Sequence, residues 1–178
     1  LDLAEEALER DPETIEATFL RALHLGFRTR SSGSLTILMQ GLIGKTRRAI
    51  EDFQALAPND PRADALHGAW HLGIVRAAGD GRFGASLSDG MAHYDAAVAA
   101  LPGDVIILSN YAFSLIVMDE SDLLPQARAL LQQIEQTQPD GATEVETRNR
   151  MLRLLAVIDD SDALQDRAKG LLNTEEPV

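Results

Sequence analysis

Apolar residues along this chain recur three and four positions apart almost throughout, and strict alternation is nearly absent. Even VIIL at 105–108 sits inside a longer stretch with the same period. That period gathers side chains on one helix face. It predicts an all-α chain with helices near 1–10, 13–28, 35–57, 61–78, 87–101, 104–118, 123–137, 143–157 and 162–172. Ser161 and Asp162 are suited to begin the last helix. The tail NTEEPV is expected to fray.

Prolines punctuate the pattern at comparable places. Gly90, Tyr94, Ala97 and Pro102 are spaced by 4, 3 and 5 residues, and so are Ala127, Leu131, Ile134 and Pro139. Ala49, Phe53, Leu56 and Pro61 repeat the spacing, and Ala7 and Pro12 match its last two places. Each copy reads small, large apolar, apolar, then proline. A period in the high thirties to low forties signals stacked helical hairpins. The small residue admits a second helix closely, the large one fills the gap beside it, and proline cannot continue the helix.

The helix after Pro102 reads VIILSNYAFSL. Leu108, Tyr111, Ala112 and Leu115 follow a large, large, small, large order, which Thr18, Arg21, Ala22 and Leu25 match in part. Leu72-Gly73 stands in the 61–78 helix with Trp70 one residue out of register, and APNDP, LPGD and QPDG join successive helices. In these features the chain resembles the tetratricopeptide repeat family, most strongly over 87–139. The resemblance implies a right-handed α-α superhelix, a solenoid of antiparallel hairpins within a single domain 1–178. Residues 1–12 would be the second helix of a partial repeat, 13–61, 62–102 and 103–139 repeats, and 143–172 a capping hairpin. It also implies a non-enzymatic scaffold that binds a protein or peptide in a concave groove lined by first helices. Trp70, His71, Asn110, Tyr111 and Ser114 are the groove candidates. Asn110 fits one place of the carboxylate clamp some members carry, but Trp70, Ile74, Thr143 and Thr147 hold the corresponding neighbouring places, which disfavours that clamp.

Composition narrows the function. A net charge of -12 argues against a general nucleic-acid or anionic-membrane binder. The absence of cysteine removes disulfides and thiolate chemistry. No apolar run reaches the roughly 18 residues of a membrane span. The opening LDLAEEALERDP starts inside a helical pattern, so a preceding segment is expected, and both a cytoplasmic and an exported, periplasmic location stay open.

Charge is uneven as well. From Ala17 to Ile50 there are six cations and no acid. Arg28, Arg30, Lys45, Arg47 and Arg48 could form a patch that reads carboxylate or phosphate groups, or could simply solvate helix ends. In the 35–57 helix, Leu35, Met39, Leu42, Thr46, Ala49, Phe53 and Leu56 form a heptad seam. That seam either packs on adjacent hairpins or forms a face that pairs two copies of the chain as a homodimer or docks another partner.

Two motifs suggest chemistry. Gly79 to Gly84 spells GxGxxG, yet the dinucleotide fingerprint needs a preceding strand, so a lengthened hairpin loop is expected and no cofactor. His67 and His71 lie four apart, a spacing that can share a metal, with His93 or an acid as a third ligand. Position 68 is glycine, which breaks the metalloprotease pattern, and the expectation is no metal and two half-buried histidines framing Trp70. Trp70 is either a wedge in the hairpin or a groove anchor. Asp119, Glu120, Asp122, Asp159 and Asp160 fall in turns, where capping and solvation account for them. Two rival classes remain open: a small-ligand carrier with a cavity between hairpins, associated with transport and exported, and a metal enzyme at His67 and His71.

Overall fold

A computed structural model describes residues 14–31, 41 and 42–173 of the chain, and the statements below concern these residues. They form eight α-helices and no strand. The helices are α1 (Ile15–Ser31), α2 (Leu42–Leu56), α3 (Pro61–Ala78), α4 (Leu87–Ala100), α5 (Val105–Ile116), α6 (Leu124–Gln136), α7 (Ala142–Leu155) and α8 (Ser161–Asn173). The expected helix at 1–10, Ala7 and Pro12, the 35–40 portion of the heptad helix and the tail from 174 lie outside the described residues. None of the described helices is long and apolar enough to cross a membrane.

The linkers stop and start helices as their residues dictate. Asp60 caps α3 by accepting the Arg62 N–H at 2.9 Å, and Pro61 occupies the first turn, where a missing N–H costs nothing. Asp104 caps α5 by accepting from Ile107 N–H at 2.9 Å. At the last helix the cap comes one residue earlier than Ser161 and Asp162, because the Asp160 carboxylate accepts the Ala163 N–H at 3.1 Å. Arg148 reinforces the other kind of end, donating to the Ile134 and Glu135 carbonyls in the last turn of α6.

The chain divides into two compact units between Ala97 and Val98. In the first, α2 packs on α1 and α3, and α1 also meets α3. Ala22, Ala49, Ile50 and Phe53 are closed off in its interior. The α3–α4 hairpin is drawn tight by two glycines, Gly68 beside the Tyr94 ring and Gly90 beside Leu72 and the base of His71. In the second unit, α5 packs on α6 and α7, α6 on α7, and α8 on α5 and α7. Its core holds Leu108, Tyr111, Ala112, Leu115, Leu131, Ile134, Met151 and Leu154.

The proline-aligned residues are therefore buried. Ala49, Phe53, Gly90, Tyr94, Ala97, Ala127, Leu131 and Ile134 all lie inside, while Leu56, the last residue of α2, stays 37% exposed. The heptad stripe is used the same way. Leu42, Thr46, Ala49 and Phe53 are buried within the first unit, which occupies the described part of the seam and leaves little of it for a second copy. The long helix expected over 35–57 begins at Leu42 in the described chain, because Gly41 at its N-cap adopts φ 60.

Candidate functional site

The five groove candidates separate by burial. Trp70 is buried and its indole N–H donates to the Ile43 carbonyl at 3.2 Å, so it wedges α3 against α2. Tyr111 is fully buried, and its hydroxyl accepts from Gln126 Nε2 at 2.7 Å. His71 is buried at the root of the α3–α4 hairpin. Asn110 and Ser114 keep partial exposure. They are four apart on α5 and share its half-open face, whereas Tyr111 lies about 100° around the helix from Asn110 and points into the core.

The basic segment is partly committed. Arg47 donates to Glu51 at 2.9 Å, and its guanidinium sits 5.4 Å from the Trp70 ring. Arg21 reaches Asp52 at 3.5 Å. Lys45 and Arg48 are exposed on α2, and Arg28 is exposed on α1. The Arg30 side chain lies outside the described residues. Exposed pairs of this kind contribute about 1 kcal/mol or less each, so their role in the fold is modest.

The residues 79–84 form a loop between α3 and α4. Gly79, Gly81 and Gly84 take φ of 97, 76 and 76, values that glycine adopts freely. Phe83 also has a positive φ, 54, and its side chain is 53% exposed. A bulky residue in that region is strained.

Packed beside this loop is a cluster of titratable side chains. The His67 and His93 rings stack at 4.9 Å, and His71 and His93 at 5.7 Å. His71 also meets Trp70 edge-on at 4.9 Å. His93 Nδ1–H donates to Asp64 at 2.8 Å, and His67 Nε2–H donates to Gln54 at 3.1 Å. His71 Nδ1 does the opposite and accepts the Ser86 backbone N–H at 3.0 Å. Burial holds the His67 and His71 pKa values below the ordinary 6.5, with the neighbouring His93 acting in the same direction.

Of the two histidines expected to frame Trp70, His71 is buried and meets it edge-on, whereas half-buried His67 stacks on His93. Position 93 joins them because the glycine contacts bring α4 close. The Asp64–His93 pair, Gln54 and Ser86 escape sequence reasoning, since only the register between α2, α3 and the start of α4 unites them. Stacked rings turn their faces to one another, and each has one nitrogen engaged with a different partner. No group of three His, Cys, Asp or Glu suited to a metal occurs among the described residues. Zinc is accordingly expected to leave the melting temperature unchanged. A ligand at one hundred times its dissociation constant would add about 2.7 kcal/mol, a shift that a thermal melt with and without zinc would reveal.

The described residues thus define an all-α protein. Comparison with known protein families, with curated proteins and with solved structures finds no match to this chain.

Proposed function

We propose that the chain is a non-enzymatic scaffold of tetratricopeptide type, whose hairpins stack as a right-handed superhelix and bind a protein or peptide partner. The observation that carries this reading is the repeated seam. The same small–large–apolar spacing is buried in successive hairpins, with Leu56 as the exposed exception. Stacked hairpins of this kind present extended surfaces, because each repeat contacts only its neighbours. On α5 the face left half-open carries Asn110 and Ser114, polar groups suited to an extended backbone or polar side chains. Asn110 is preset there by its own donation to the Ile106 carbonyl at 3.0 Å.

The test is in-cell crosslinking with the wild-type chain and with Asn110→Arg/Ser114→Arg. One protein should be recovered with the wild type and lost with the double variant. The variant should keep its helicity and stay within about 0.5 kcal/mol of wild-type stability, as surface changes generally do. Recovery that ignores the substitutions would remove the α5 face from the binding surface. A small molecule retained through native mass spectrometry would favour a carrier instead.

A further inference from the structure

We infer that the loop from Gly79 to Ser86 is a proton-sensitive latch: the Ser86 N–H donated to His71 Nδ1 at 3.0 Å fastens it, and acid releases it together with the first turn of α4. The inference stands on the geometry of this loop and is independent of the scaffold reading.

The chemistry of the acceptor decides the matter. A backbone N–H can only donate, so His71 Nδ1 must offer a lone pair. Neutral imidazole has one such nitrogen, and the imidazolium has none. Protonating His71 at Nδ1 places two N–H groups face to face, and the bond cannot persist. The Ser86 it fastens also starts α4, because its hydroxyl accepts the Asp89 N–H at 3.0 Å. Other bonds also shape the loop: Gly81 N–H to Ala85 O and Ala85 N–H to Arg82 O, both at 2.9 Å, Arg82 N–H to Gly79 O at 3.4 Å, and Leu87 N–H to Asp80 Oδ1 at 2.7 Å. Between them Phe83 is held at its strained φ, so a loosened loop gains by letting that residue relax.

The surroundings set the direction of the response. From α3, Asp64 faces His67; from α2, Glu51 faces His67 and Arg47 faces His71; from α4, Asp89 faces His71, and His93 faces both histidines. On α1, Glu16 pairs with Arg62 in the first turn of α3 at 3.0 Å. The acids favour a cation, whereas burial, Arg47 and the mutual repulsion of imidazoles stacked this closely oppose one. The closed state therefore binds a proton at His71 less readily than the open one. Its stability is fully present above the ordinary value of 6.5 and falls as pH drops below it toward the depressed folded value.

Amide and ring resonances of the isotopically labelled full chain, followed from about pH 7.5 to about pH 5, test the latch across the histidine range. The Ser86 amide should move with the same midpoint as the His71 ring. Its hydrogen-exchange rate, corrected for intrinsic pH dependence, should rise about tenfold as one hydrogen bond is lost. His71→Asn places an oxygen acceptor near the Nδ1 position without a titrating group, and its Ser86 amide should stay protected throughout. The latch is overturned if the Ser86 amide remains protected while His71 titrates, if His71 does not titrate in this range, or if His71→Asn opens with the same acid dependence. Should His71→Asn fail to fold, the shared midpoint in the wild-type chain decides alone.

Discussion

Phe53→Ala is expected to lower the unfolding free energy of the first unit by about 3–5 kcal/mol, the usual range for deleting a buried phenyl ring. Phe53 has no exposed surface, and its ring meets that of Phe19 at 5.4 Å and an angle of 53°. Arg62 lies over both rings, 4.3 Å from Phe19 and 5.5 Å from Phe53, and is held in place by Asp60 and Glu16. The hydrogen bond between Arg62 and Asp60 holds the Asp60 carboxyl below its ordinary pKa. The void left by the ring therefore opens where α1, α2 and α3 converge, with neighbours that are already anchored. A site that cannot collapse sits toward the upper end of the range. Leu56→Ala, the next apolar position of the same spacing, should cost about 1 kcal/mol or less, because that side chain is 37% exposed. Denaturant unfolding followed by the fluorescence of Trp70, the single tryptophan and a residue of the first unit, separates the two. Equal losses would mean that the seam does not face inward at Phe53.

The contrast between Phe53 and Leu56 shows what periodicity conveys. Spacing by 3 and 4 identifies a helix face, and the face was legible wherever the helix continued past it. Leu56 ends α2, so no further turn of its own helix covers it. Gly41 illustrates the same limit. The apolar period runs through it, but the local backbone takes a left-handed conformation and the helix starts after it. Asp160 replaces Ser161 and Asp162 as the cap for a related reason. All three are good capping residues, and the choice among neighbours rests on a one-residue difference in where the helix begins.

The site was less legible than the fold. That His67 and His71 share a face follows from their spacing of four. That His93 stacks on both, with Asp64 bonded to it, depends on how α4 lies along α3 after an intervening loop. Nothing in local sequence encodes that register except the two glycines that permit close approach. Tyr111 misleads for a different reason. The resemblance places it on a first helix, yet a hydroxyl can be satisfied in the interior, as Gln126 does here.

Gly68→Ala should destabilise the first unit even though alanine is the better helix former. In the α3 helix a Cβ at position 68 would lie 2.5 Å from Tyr94 Cδ2 and 2.8 Å from its Cγ. Cγ is the root of the ring, so relief requires the whole ring to move, and Tyr94 is only 1% exposed. Overpacking of this kind costs roughly 1–3 kcal/mol, against about 1 kcal/mol gained in helix propensity. The expected net loss is up to about 2 kcal/mol. Gly73→Ala on the same helix isolates the propensity term, since position 73 is exposed and a Cβ there meets nothing within 4 Å. It should stabilise by about 0.5–1 kcal/mol. The opposite signs are the content of the prediction, read by the same Trp70 unfolding curves. A gain at both positions would mean that α3 and α4 are not in close contact at Gly68. The consequence reaches the histidines, because residue 67 stacks on His93 across the same contact. Forcing the helices apart should weaken that stack, so the His67 and His93 ring resonances should shift in Gly68→Ala and stay in place in Gly73→Ala.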